Sequence, residues 1–136
     1  MISDMSERYK RNEGCVYNIK YHLVWCPKYR RKVLVGNIAE RLKNIMYEKA
    51  DVMGIQIEAV EIMPDHVHVF ITGQPTVAIQ HIVNQLKGRS SRILRAEFAQ
   101  LRSKLPCLWS RSYYCGTVGH VSEVTIRKYI EGQKGK

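Results

Sequence analysis

Residues 55–72, IQIEAVEIMPDHVHVFIT, hold two β-branched and apolar runs, Ile55 to Met63 and His66 to Thr72, separated only by Pro64 and Asp65. Two strand-like runs around so short a proline-bearing break read as a hairpin. Upstream, Val16 to Cys26 (VYNIKYHLVWC) alternates until Pro27 stops it. Tyr17, Ile19, Tyr21, Leu23 and Trp25 share one face, and Asn18, Lys20 and His22 the other. Between this strand and the hairpin, Asn37 and Glu40 form a capping-box pattern. Ile38, Leu42, Ile45, Met46 and Met53 follow at helical spacing, closed by Gly54. After the hairpin, Thr76 caps a second helix bearing Ile79, Ile82, Val83 and Leu86, with a pattern that continues past Gly88 through Ile93, Leu94 and Phe98. Tyr113 to Val118 reads as a fourth strand, with Gly116 and Gly119 marking a bend or edge, and Ser122 starts a short helix through Tyr129 and Gln133.

The order is β-α-β-β-α-β with an added C-terminal helix. Two crossovers around a central hairpin predict an α+β, ferredoxin-like (RRM-like) sandwich, a four-stranded antiparallel sheet with helices on one face and the other face open. A length of 136 residues suits a single domain, with 1–14 as a flexible N-terminal extension and 121–136 as C-terminal helix and tail. No apolar run is long enough to span a bilayer, and the polar N-terminus lacks a secretory signal, so the expectation is a cytoplasmic protein without a membrane partner.

The net charge of +10 is uneven. Residues 1–36 carry +5 and residues 87–111 carry +6, while 37–86 carry −3 and 112–136 carry +2. Clustered positive charge is the footprint of a phosphate-binding face. Cys15, Cys26, Cys107 and Cys115 form no CxxC pair, which points to reduced thiols and not to structural zinc or disulfides.

His66 and His68 lie two apart on a strand, so both imidazoles project from one face, roughly 6 to 7 Å apart at the backbone, and can converge on a cation. A third ligand must come from elsewhere, with Gln133, Glu61 and Asp65 as candidates, and the mixed donor set does not choose a metal. Tyr129 and Gln133 are four apart on the last helix. A tyrosine near a metal could act as a nucleophile, but a phenol with a pKa of about 10 needs activation. Spacing alone leaves Tyr129 as one candidate among eight tyrosines.

His66-Val67-His68 is an HUH pattern, two histidines around a bulky apolar residue, set in MPDHVHVFI. With YHLVWCPKYR (Tyr21 to Arg30), LKGRSSRIL (Leu86 to Leu94), SYYCGTVG (Ser112 to Gly119) and KYIEGQ (Lys128 to Gln133), in that order, the chain closely resembles the single-tyrosine HUH transposases of the insertion-sequence-200/605 type. The resemblance covers nearly everything beyond the first dozen residues.

The resemblance implies an enzyme that nicks and rejoins single-stranded DNA at hairpin-bearing element ends through a 5′-phosphotyrosine. Tyr129 would be the nucleophile, and His66, His68 and Gln133 the ligands of a divalent metal, Mg2+ or Mn2+. It also implies a homodimer whose composite sites join the histidines of one subunit to the tyrosine helix of the other. Such strand transfer needs no nucleotide cofactor, and no GxxxxGK[ST] motif occurs. Lys28, Arg30, Arg31, Lys32, Lys87, Arg89, Arg92 and Arg95 are then expected to grip hairpin phosphates, with Tyr29 or Trp109 for unpaired bases. Alternatives are a related HUH enzyme acting on chromosomal palindromic repeats or a replication origin, and a non-catalytic single-strand-binding module of the same fold.

Overall fold

A computed structural model of the chain describes residues 10–12, 14–17, 19–117 and 123–136. The long alternating stretch is two strands, not one. Lys10–Asn12 (β1) and Cys15–Tyr17 (β2) pair antiparallel as a small separate sheet, with Gly14 at φ 82 in the turn. Lys20–Trp25 (β3) belongs to the main sheet. The expected N-terminal extension therefore ends in a paired strand.

Gly36–Met53 (α1) leads to Gln56–Met63 (β4) and His66–Thr72 (β5), the hairpin read from the sequence. The Asn37–Glu40 capping box is not formed. The Val35 carbonyl accepts from Ile38 and Ala39 and so starts the first turn one step earlier, which leaves Asn37 inside the helix. At the other end Gly54, at φ 71, lets the Ile55 amide reach the Ala50 carbonyl at 2.9 Å, the Schellman closure expected of a glycine there.

Ile79–Glu97 (α2) runs unbroken through Gly88, where a Cβ would meet open space. Its N-cap is Ala78 and not Thr76, which sits in the preceding turn. Extended backbone at Phe98 (φ −122) ends the helix, and Ala99–Lys104 (α3) follows as a separate element. Tyr114–Thr117 (β6) and Glu123–Glu131 (α4) complete the order. Val118, Gly119 and Ser122, expected at a strand end, a bend and a helix start, lie outside the described residues.

The main sheet runs β4-β5-β3-β6, every pair antiparallel, which is the ferredoxin-like arrangement. Leu23 and Trp25 of β3 and Val67, Val69 and Ile71 of β5 join residues of α1 and α2 in one buried cluster. The helix-packed face is thus fixed by alternation, and His22, His66 and His68 fall on the other face. That face is not wholly open, because Val24 is fully buried and His22 is 5% exposed.

Among the described residues no helix is long and apolar enough to cross a membrane.

Candidate active site

The sheet register sets the site out as a row. Glu61 of β4 pairs with His68 of β5, His68 pairs with Val24 of β3, and Val24 pairs with Tyr114 of β6. Directly opposed residues share a face, so all four stand on the side away from α1 and α2. Tyr129 of α4 has its ring 6.1 Å from that of Tyr114. His68 and Tyr114 are two strand spacings apart, roughly 10 Å. The fold therefore brings the histidine pair and Tyr114, the ring neighbour of Tyr129, to one surface.

Each histidine is aimed by an outer partner. His66 Nδ1 donates to Asp65 Oδ1 at 2.8 Å, and Asp65 Oδ2 is in turn paired with Arg30 Nε at 3.1 Å. His68 Nδ1 lies 2.9 Å from His22 Nε2, and His22 is stacked on Phe70 with centroids 4.1 Å apart. Both Nδ1 atoms are therefore engaged. In the tautomer where His68 Nδ1 donates to His22, both ligand rings keep an Nε2 lone pair, and their centroids are 4.9 Å apart. Burial, with help from His66 and His22, pushes the His68 pKa down to about 4, and burial also lowers that of His22, opposed by Glu61. Neutral imidazoles are what a metal requires, so the donor pair fits a divalent cation.

Of the third-ligand candidates, Asp65 serves as the partner of His66, and Glu61 is the cross-strand neighbour of His68. Gln133 lies just past the end of α4 and is buried. Its Oε1 accepts from the Ser112 hydroxyl at 3.0 Å and its Nε2 donates to the Tyr129 carbonyl at 3.4 Å. Among the described residues, no three His, Cys, Asp or Glu side chains are grouped so as to hold a metal.

The Tyr129 hydroxyl is 3.0 Å from that same Ser112 hydroxyl. Burial raises its pKa to about 12, against the lowering effect of the Ser112 hydrogen bond. Ser112 thus holds both Tyr129 and Gln133. Arg30 ties this half to the other, since its Nη1 donates to the Ile130 carbonyl at 3.1 Å while its Nε pairs with Asp65. The backbone pays for this reach locally, with Tyr29 and Arg30 at φ 59 and 52, a region that side chains disfavour.

The basic residues separate into two groups. Arg30, Lys87 and Arg95 have donors in internal bonds: Lys87 Nζ to the Ser110 and Ser112 carbonyls at 2.8 and 3.2 Å, and Arg95 Nη1 to the Leu105 carbonyl at 3.0 Å. Arg31 and Lys32 are exposed beside the turn that follows β3, and Lys28 is half-buried with its Nζ 5.2 Å from the Tyr29 ring centroid. Arg89 and Arg92 are exposed on α2, which packs on the face opposite the histidines, so the two basic blocks do not merge around the site. Trp109 cannot receive a base. It is 6% exposed, edge-on to Trp25, with its indole N–H on Ser90 Oγ at 3.0 Å. Tyr29 remains exposed. Cys26, Cys107 and Cys115 are free thiols, and burial raises the Cys26 pKa to about 12, which makes it inert.

Sequence reasoning left three members of this site out, His22, Ser112 and the bridging role of Arg30. Alternation put His22 on the right face, but only the β3–β5 register shows that it meets His68.

The family of IS200-like transposases matches residues 15–133. The ISDra2 transposase TnpA of Deinococcus radiodurans is 43% identical over 129 residues, covering 93% of this chain and 92% of that protein. The transposase of insertion sequence element IS200 from Salmonella typhimurium is 32% identical over 119 residues, covering 86% and 78%. Among solved structures, a candidate transposase from Deinococcus radiodurans superposes with a TM-score of 0.86 at 38% identity, covering 93% of this chain and 99% of its own. A REP-associated tyrosine transposase bound to a REP hairpin gives 0.56 at 13% identity, covering 90% and 67%, a likeness of fold alone. This chain belongs to the IS200-like transposase family.

Proposed function

We propose that the protein cleaves and rejoins single-stranded DNA at hairpin-bearing element ends, with Tyr129 as the nucleophile. The observation that carries this reading is the pair of histidines on one sheet face, with the Tyr129 helix tied to them by Arg30, which bonds both Asp65 beside His66 and the Ile130 carbonyl beside Tyr129. The Tyr129 oxygen attacks the scissile phosphorus, the 3′-oxygen leaves and takes up a proton, and the 5′-phosphate stays on the tyrosine. A 3′-hydroxyl of another end then attacks the phosphotyrosine and returns the proton to the phenolate. A phenolate is a better leaving group than an alkoxide, so the second step needs no nucleotide triphosphate.

A divalent cation, Mg2+ or Mn2+, held by His66, His68 and Gln133 would supply charge stabilisation at the scissile phosphate. The His66 and His68 rings, fixed by Asp65 and His22, favour that role. A phenol with a pKa near 12 is a poor nucleophile, so Tyr129 works only where positive charge draws off its proton. Gln133 and Tyr129 are both bound to the Ser112 hydroxyl. Both placements favour a homodimer with composite sites, in which each α4 completes the histidine half of the partner. The REP-associated relative is bound to a hairpin, and here Lys28, Arg31 and Lys32, with Arg89 and Arg92 behind the sheet, are the cations for such a ligand.

The test is an adduct assay. Wild-type protein, element-end single-stranded DNA and Mg2+ or Mn2+ give a covalent species that survives a denaturing gel and is lost on chelation. Tyr129→Phe gives none. An adduct that persists in Tyr129→Phe would overturn the nucleophile assignment.

A further inference from the structure

A cleft of about 280 Å³ opens beside Ser112 and Gln133, and most of its lining has no part in the metal and tyrosine chemistry above. The described residues that line it are Lys28, Ser110, Arg111, Ser112, Gln133 and Lys136, with three cationic side chains and no acidic one. Its wall is set by the segment 108–110, which runs antiparallel to 26–28 through the Lys28 amide to Leu108 carbonyl and Ser110 amide to Cys26 carbonyl bonds.

Two groups around it, one buried and one half-buried, lack what their chemistry calls for. Ser110 is 2% exposed, and its hydroxyl oxygen is buried with no hydrogen-bond partner. Buried hydroxyls are satisfied in folded proteins, so an orphan on a cleft wall marks a place where something else completes it. Lys87 stands behind the wall with its ammonium on two carbonyls and, among the described residues, no ion pair with a carboxylate. Its pKa is pushed down to about 8, chiefly by burial. A cleft with a cation behind it, cations at its mouth and no internal counter-charge is built for an anion.

The anion is placed by Ser112. Ser112 lines the cleft and its hydroxyl bonds the Tyr129 hydroxyl at 3.0 Å, so the cleft lies beside the nucleophile. We propose that this cleft seats a DNA phosphodiester adjacent to the one Tyr129 attacks, with Lys28 and Arg111 on its anionic oxygens and the Ser110 hydroxyl donating to it directly or through one water. The inference rests on the DNA-cleaving reading and names a contact for the same strand. It gives Arg111 and Ser110 a role in holding substrate and makes Lys87 a positioning residue.

The test uses the full chain and a single-stranded oligonucleotide carrying the element end, with affinity measured over a series of salt concentrations. Lys28→Gln/Arg111→Gln is expected to bind roughly tenfold more weakly, with a salt slope smaller by about 0.7 for the one phosphate lost. Ser110→Ala is expected to weaken binding about threefold, whereas a hydroxyl with no ligand would leave affinity unchanged. One methylphosphonate next to the cleavage point should weaken the wild type by about the same tenfold and the double variant not at all. Unchanged affinity and slope in the double variant, or methylphosphonates that weaken both proteins equally, would overturn the proposal. So would occupation of the cleft by inorganic phosphate with no methylphosphonate effect. The wild-type adduct is read in the same samples. An adduct without a cleft effect removes the phosphate seat and leaves cleavage standing, and a cleft effect without an adduct does the reverse.

Discussion

The histidine hairpin and the tyrosine helix, the two halves of the proposed chemistry, are held in opposite ways. His66 and His68 sit on a strand paired on both sides, backed by fully buried Val67 and Val69. Each ring is pinned by a hydrogen bond from outside the pair. Tyr129 sits on a nine-residue helix, too short to be stable alone. That helix is held by Ile126 at 9% exposure, by Ser112 and by one Arg30 bond to a backbone carbonyl. One half is fixed by the fold, while the other is docked onto it. Such a division suits the proposed chemistry, in which the nucleophile would carry a DNA end from one bond to another while the phosphate site stays in place.

Removing the chemistry from the docked half should cost the most and disturb the fold least. Tyr129→Phe is expected to lower adduct formation by roughly 1,000-fold or more, with the melting temperature unchanged and oligonucleotide binding retained. A variant that lost binding as well would show that the hydroxyl holds structure and that the two halves are not separable.

On the fixed half, His22→Phe keeps a ring against Phe70 but deletes the hydrogen bond to His68. Outer partners of metal-bound histidines are typically worth 10- to 100-fold, so the metal concentration needed for half-maximal adduct should rise by that factor. The expected rate at saturating metal is close to wild type. A lower rate at saturation with no shift in metal dependence would place His22 in the chemical step and not in the aiming of His68.

Arg30→Gln tests the link between the halves. It removes a charged donor from the Ile130 carbonyl, a partly exposed bond worth about 1 kcal/mol, or roughly fivefold in the docked population. Amide exchange of residues 126–131 should quicken by that factor while exchange in β5 stays slow. Equal acceleration in β5 would mean that Arg30 supports the sheet and not the dock.

The two halves also differed in how legible they were. The hairpin, its two-residue break and the shared face of His66 and His68 follow from local alternation, because a strand's side-chain direction is set by parity alone. Partnership is not local. His22 and His68 are 46 residues apart, and only the pairing order of four strands brings them together. The capping box at Asn37 failed for a similar reason, since the Val35 carbonyl, placed by the chain entering from Pro64's neighbour Leu34, took the first turn. Cations misled most. Lys87, Arg30 and Arg95 count as basic charge in any composition, yet each has donors on backbone carbonyls that no charge pattern reveals. Trp109 read as a base platform because nothing in its neighbours announces a buried bond to Ser90.

A further test, of stability and not of chemistry, concerns Lys87, which lies under the loop that holds Tyr129 and belongs to neither half. In the folded chain its pKa is about 8, against an ordinary value of 10.5. Below pH 8 both folded and unfolded chains carry the proton, and burying the charge costs stability throughout that range. Between pH 8 and 10.5 the unfolded chain binds more protons than the folded one, so stability rises with pH and levels off above 10.5. The gain is on the order of 1 to 3 kcal/mol as an upper bound. Lys87→Met has no such group, so the difference in unfolding free energy between wild type and variant should move toward the wild type over this window. A difference that stays flat with pH would mean that the ammonium is hydrated after all, and that the carbonyls of Ser110 and Ser112 are held in place without it.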